Sequence, residues 1–282
     1  MDKKELSKIV DIRPYGTIVI ADSILCDGDD PFGQDIGKNL TCYSHIHDDH
    51  IKGLDDRLGV LHSRVYSTEI TKRLASALYQ RDTEWMKDRE NYSGLEYNAH
   101  VDVNANLRIS FKTCHHILGS ASILVNTNNN SILYSSDFML KGTHIEKDVD
   151  YLILDATHGA HSENQEFEDV VPSKRKLVKL TKEIIADAEG KGDPPRINIH
   201  AHRGTMQLAM SWLRDEINVD TKFLTNRKDL NVARIYSEYG HECGDMYDED
   251  IQLEKFFRSA QSFIHFLPIN EMPTECGTVL RK

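Results

Sequence analysis

An α/β fold is the class this sequence predicts, and three observations carry it. Short apolar runs in the first half stop repeatedly on acidic or imidazole residues, as strands do when they deliver polar side chains from a buried sheet. The stretch Asn126-Thr127-Asn128-Asn129-Asn130 between two such runs is a hairpin signature. From Pro172 onward the pattern changes to helices alternating with strands. At 282 residues the chain can bury a substantial core and hold one large or two modest domains.

Taken in order, residues 17–20 and 24–26 are strand-like runs that turn at Ala21-Asp22-Ser23, with Asp27 directly at the second strand's end. Asp27 reads equally as an acid that orients a metal-binding histidine and as a turn acid before Gly28. Residues 40–43 form a buried strand that delivers the densest polar stretch in the chain, Ser44-His45-Ile46-His47-Asp48-Asp49-His50. Residues 64–66 are a further strand, after which Ser67 is placed to cap a helix through Ile70, Leu74 and Leu78. Residues 80–100 show no clear periodicity. Residues 107–112 alternate as a half-buried strand and lead into Cys114-His115-His116-Ile117-Leu118-Gly119. Residues 121–125 and 132–134 flank the asparagine turn and end in Ser135-Ser136-Asp137, and residues 151–154 end in Asp155-Ala156-Thr157-His158-Gly159. In the second half, Leu177, Leu180, Ile184 and Ala188 mark one amphipathic helix, its lysines reading as a solvated face. Strands at 196–200, 222–224 and 262–267 then alternate with helices at 205–217, 232–239 and 251–257.

Composition narrows the functional classes. A formal net charge of −11 argues against broad electrostatic wrapping of nucleic acid, while leaving room for a local basic groove. No apolar run has the length of a membrane span, and the N-terminal residues are charged, so a cytoplasmic protein with no membrane partner is expected. Cys26, Cys42, Cys114, Cys243 and Cys276 are scattered and odd in number, as reduced thiols would be.

The strand-end residues assemble into a metal site. His45, His47 and His116 can hold one ion through three nitrogens, Asp49 and His50 a second, and Asp137 can bridge both. Alternation turns His115 and His116 to opposite sides, and His116 is assigned to the metal. The imidazole-rich set favours Zn2+. Two divalent ions about 3.5–4 Å apart would acidify a shared water, giving a bridging hydroxide suited to cleaving a phosphodiester.

These residues resemble a known family. His45-Ile46-His47-Asp48-Asp49-His50, His116 before Leu118-Gly119, and Ser136-Asp137-Phe138 look like the successive metal motifs of the metallo-β-lactamase fold. Asp155-Ala156-Thr157-His158-Gly159 and His202-Arg203-Gly204-Thr205-Met206-Gln207 are similar to elements of its β-CASP branch, which includes ribonuclease J and other RNA-processing and DNA-repair nucleases. The resemblance implies an αββα sandwich over residues 1–208, a partial β-CASP cap over 209–282, and a C-terminally shortened chain. It implies a dinuclear zinc nuclease acting on RNA or single-stranded DNA, with Asp49, Asp137 and Asp155 as catalytic acids and Arg203 placed to contact a phosphate. The family's last metal-ligand histidine and its leaving-group histidine have no counterpart here, so the second zinc site is expected to be incomplete. His265 lacks the matching context, and His158 and His161 read as loop residues. A homodimer is permitted. Two other readings fit: a non-catalytic relative that binds nucleic acid or a partner, and a glyoxalase-like thioester or lactone hydrolase, against which the motifs after Asp155 count.

Overall fold

The computed structural model describes residues 3–13, 16–28, 40–60, 62–78, 89–156, 170–217, 220–259, 261–269 and 278–281. Thr157, His158, Gly159, His161 and Cys276 lie outside the described residues. The chain divides into two compact units, Met1–Ala160 and His161–Lys282.

The first unit holds α1 (Lys3–Ile9), β1 (Val10–Ile12), β2 (Ile18–Ile20), β3 (Ile24–Cys26), β4 (Leu40–Cys42), α2 (Leu54–Gly59), β5 (Arg64–Thr68), α3 (Glu69–Leu78), β6 (Tyr92–Leu95), β7 (His100–Asn104), β8 (Leu107–Thr113), β9 (Ala121–Thr127), β10 (Ser131–Tyr134) and β11 (Tyr151–Ile153). Strands β1 to β6 form one sheet in sequence order, antiparallel up to β3 and parallel from there on. The other sheet runs β11-β10-β9-β8-β7, with only β10 and β11 parallel. Alternation decides which side chains meet between them. Ile20, Ile24 and Cys42 from the first sheet pack with Ile109, Phe111, Ile123, Val125 and Ile132 from the second, in one shared core. Phe111 is fully buried there, which contributes about 2–3 kcal/mol relative to an exposed ring. Helices α2 and α3 pack on β5, and α3 also on β6. This is a metallo-β-lactamase-type α/β fold, in agreement with the class the sequence predicts.

Strand pairing brings the polar strand ends together. Cys26 lies opposite Cys42 in parallel register, so Asp27 and the Tyr43-Ser44 segment emerge side by side. Tyr134 lies opposite Ile153, so Ser135 and Asp155 do the same, and the Asp155 N–H donates to the Ser135 hydroxyl at 2.9 Å.

The expected cap at Ser67 is corrected to Thr68. Strand β5 runs on through Thr68, whose Oγ1 accepts from the Thr71 N–H at 3.0 Å and donates to the Gly119 carbonyl at 2.8 Å. Ser67 instead donates to the Thr68 carbonyl. Thr71 also donates to the Gly119 carbonyl at 2.8 Å, so α3 is tied to the loop that carries His116. Gly119 has φ +87°, and a Cβ there would sit 2.8 Å from Thr71 Oγ1. Gly119→Ala is therefore expected to cost about 2 kcal/mol from left-handed strain and crowding, read as a shift in the urea midpoint.

The second unit contains α4 (Val170–Gly190), β12 (Arg196–Ala201), α5 (Thr205–Arg214), β13 (Lys222–Thr225), α6 (Arg227–Glu238), β14 (Met246–Asp248), α7 (Glu249–Arg258), β15 (Phe263–Pro268) and β16 (Thr278–Arg281). Its sheet is parallel throughout, in the order β14-β13-β15-β12-β16. The motif-based boundary at 208/209 differs from the compact division, which keeps β12 with its sheet neighbours β15 and β16. Among the described residues no helix is long and apolar enough to cross a membrane.

Candidate metal centre

Every residue of the candidate centre comes from the first unit. His45 and His47 follow β4, His116 follows β8, and Asp137 follows β10. The four offer ligand atoms that all lie within 4.8 Å of one another. His45 Nε2 and His116 Nε2 stand 2.9 and 3.2 Å from His47 Nδ1, and Asp137 Oδ2 is 3.4 Å from His116 Nε2 and 3.8 Å from His45 Nε2. A tetrahedron of nitrogens about 2.0–2.1 Å from a zinc ion has edges of about 3.3 Å, so these spacings suit one metal.

The hydrogen bonds behind the histidines decide which nitrogen is bare. Asp27, only 2% exposed, accepts from the Ser44 N–H at 2.7 Å, the Ser44 hydroxyl at 2.6 Å, the Tyr134 hydroxyl at 3.0 Å and His50 Nδ1 at 2.8 Å. Because Ser44 gives its one proton to Asp27, its oxygen accepts from the Ser136 hydroxyl at 2.6 Å and from His45 Nδ1 at 2.9 Å. His45 thus carries its proton on Nδ1 and directs the Nε2 lone pair at the ligand group. Asp27 and Ser136 adopt positive φ, 51° and 55°; for Ser136 this strain is on the order of 1 kcal/mol and is held by the bond to Ser44. The Asp27 carboxylate thus faces Ser44, Tyr134 and His50 and not the Gly28 turn, whose N–H donates to the His50 carbonyl instead.

Electrostatics agree. Burial, followed by the neighbouring imidazoles, holds His45 well below the usual histidine range. His116 is lowered to about 4, chiefly by burial and then by His47. Both rings are therefore neutral at pH 7, the form able to accept a metal. For His50, burial alone would lower the pKa, but hydrogen bonds to Asp137 and Asp27 outweigh it and raise the ring to about 10. Asp137 is lowered, its burial outweighed by the bond to His50 and by the nearby imidazoles.

The remaining expected residues fall around this group. His50 Nε2 lies 3.3 Å from Asp137 Oδ1 and 3.8 Å from Asp49 Oδ2, and the Asp49 side chain is 75% exposed; neither Asp49 nor His50 belongs to the group whose ligand atoms converge within 4.8 Å. Asp155 is not among the four ligands, although its charge favours protonation of His116. His115 points away and binds the Lys141 carbonyl. In the second unit, Arg203 is not a freely solvated surface arginine. Its Nε donates at 3.0 Å to Asp229, which is fully buried. His265 is buried and bound to Glu249.

Sequence reading missed Ser44, Ser136, Tyr134 and Cys114, whose thiol donates to the Asp137 carbonyl at 3.1 Å. Tyr134 had a readable signal, a polar head on the last inward position of a strand. Ser136 had none, since its role depends on a backbone conformation.

The fold and centre define a metallo-β-lactamase-type α/β protein with a His/Asp group able to bind metal. No protein-family model matches the chain. It is 27% identical over 250 residues to a probable RNase, MJ4, of Methanocaldococcus jannaschii, covering 77% of this chain and 54% of the relative. It is 21% identical over 231 residues to an RNase J-like protein of the same organism, covering 75% and 53% respectively. Identity to ribonuclease J 2 of Streptococcus pyogenes is 25% over 161 residues, covering 52% of this chain and 28% of the relative. Among solved structures, a protein of unknown function from Enterococcus faecalis V583 shares the fold, with a TM-score of 0.52 and 14% identity over 89% of this chain and 73% of that one. The chain is a relative of the β-CASP branch of the metallo-β-lactamase fold, and it spans about half the length of the first two curated relatives it matches.

Proposed function

We propose that this chain is a metal-dependent phosphodiesterase that cleaves RNA, with zinc at the candidate centre and a cytoplasmic site of action. The observation that carries the reading is the convergence of one ligand atom each from His45, His47, His116 and Asp137 within 4.8 Å. The RNase names of the curated relatives support RNA over single-stranded DNA. Asp49, His50 and Asp137 would hold a second ion, with Asp137 shared. Zinc ions, when bound, supply Lewis acidity and a nucleophile at neutral pH. The protein's part is to fix the ligand directions through Asp27, Ser44 and Ser136, and to hold Asp137 beside both donor sets. Asp155 would act behind His116, and the division into a core through residue 208 and a cap from residue 209 belongs to the same proposal.

The test is metal analysis of the purified chain together with incubation on end-labelled RNA and single-stranded DNA. Near two zinc ions per chain, and a ladder from RNA that vanishes with chelator, are expected. Asp49→Ala is expected to leave one tight ion and reduce cleavage by about tenfold or more, since it weakens only the looser donor set. Absence of bound metal would sink the site assignment. Metal bound without cleavage of either nucleic acid would favour the non-catalytic binding reading, and hydrolysis of thioesters or lactones alone would favour the glyoxalase-like one.

A further inference from the structure

We infer that His115, the imidazole turned away from the ligand group, is a positioning residue that fixes the Asp137 loop and thereby the affinity of the centre for metal; this rests on the metal-site reading above. Cys114, His115 and His116 leave β8 consecutively and grip three different things. The Cys114 thiol donates to the Asp137 carbonyl at 3.1 Å. His116 faces the ligands. His115 takes the segment immediately after Asp137: its carbonyl accepts from the Met139 N–H at 2.7 Å, its N–H donates to Thr143 Oγ1 at 2.9 Å, and its Nδ1 donates to the Lys141 carbonyl at 2.6 Å. Thr143 Oγ1 in turn donates to the Met139 carbonyl at 2.6 Å, closing the loop around the ring.

Gly142 is the second sign that the loop is built on this ring. Its φ is +94°, and a Cβ there would lie 2.8 Å from His115 Nδ1 and 3.1 Å from Cγ. A carbonyl can only accept, so the bond to Lys141 fixes the proton on Nδ1. That bond belongs to the side chain alone, whereas the Met139 and Thr143 bonds use the His115 backbone. Removing the ring therefore frees residues 140–142 without unfolding the whole turn. The carboxylate of Asp137 lies 3.3–3.8 Å from His50, His116 and His45, so a small shift of this loop alters its distance to all three.

The test is metal affinity, by competition with a chromophoric chelator, and the visible spectrum of the Co2+-loaded chain. His115→Ala is expected to weaken binding by about tenfold to hundredfold and to change the Co2+ band, while His115→Asn, whose amide can replace the Nδ1 donor, restores affinity to within about threefold of wild type. Gly142→Ala, which crowds the ring without removing it, is expected to weaken binding as well. His144→Ala, an exposed loop histidine bound to Glu146, should leave affinity unchanged. Wild-type affinity in His115→Ala, or an equal loss in His144→Ala, would overturn the positioning role while leaving the metal centre intact. No binding by the wild-type chain would overturn both.

Discussion

Asp27→Ala is expected to destabilise the first unit by about 3–5 kcal/mol and to lower metal affinity by about a hundredfold, measured by urea denaturation with chelator present and by metal titration. The carboxylate accepts four hydrogen bonds while only 2% exposed. Deleting it leaves the Ser44 N–H, the Ser44 and Tyr134 hydroxyls and the charged His50 ring without their acceptor, and a buried donor left unmade costs its full desolvation. The metal effect follows through Ser44, because that hydroxyl no longer has a fixed acceptor and His45 loses the contact that holds its proton on Nδ1. Asp27→Asn separates charge from size. Its amide oxygen, set at the Oδ2 position, can still meet the Ser44 and Tyr134 hydroxyls and His50 Nδ1, but its NH2 then faces the Ser44 N–H and the charge that pairs with His50 is gone, so rescue should be partial. A stability loss below about 1 kcal/mol for Asp27→Ala would return this residue to the role of a turn acid.

The converging group of His45, His47, His116 and Asp137 was legible in the sequence because each follows a strand whose pattern can be read, and because His45 and His47 sit in one short, polar segment. Parallel pairing of β3 with β4 then placed Asp27 beside Ser44, a contact across 17 residues that no local pattern encodes. The elements that escaped notice are those without periodicity of their own. Strand β6 carries Gly94 inside the 80–100 stretch, and β7 has an exposed face every second residue with no fully buried position. Strands β14 and β16 are held by neighbours in a parallel sheet rather than by their own pattern. The Ser67 cap failed for a related reason: two adjacent hydroxyl residues can each start a helix, and only the length of β5 chooses Thr68.

The metal-free protein is expected to be most stable near pH 6.5–7 and to weaken on both sides, a profile set between about pH 4 and 8.5 by the opposite shifts of His116 and His50. An unfolded histidine titrates near 6.5. His116 titrates at about 4 in the folded chain, so between those values the unfolded state takes up a proton that the folded state refuses. Stability is then lost as pH falls, by about 3 kcal/mol in all. His45, also lowered, adds to this acid limb. His50 behaves in the opposite way. Raised to about 10, it stays protonated in the fold after the unfolded ring has lost its proton, so the stability from its bonds to Asp27 and Asp137 is fully present below pH 6.5 and is lost between there and about 10. That loss is about 5 kcal/mol, and it includes the lowering of Asp137, since both describe one ion pair. Denaturant melts from pH 4 to 10 with chelator present would show the two limbs. Added Zn2+ should raise the midpoint at pH 7, because metal binds the folded ligands preferentially, and the zinc-loaded and metal-free curves should converge toward pH 4 as protons occupy the imidazoles. His50→Gln should remove the loss between pH 6.5 and about 8.5 and leave the acid limb in place; above about 8.5 the buried thiols of Cys114 and Cys243, pushed up by burial, add a loss of their own because only the unfolded chain gives up those protons. A flat profile above pH 7 in the wild-type chain would show that His50 is neutral in the fold, and with it the charge balance between Asp27 and Asp137 would fall.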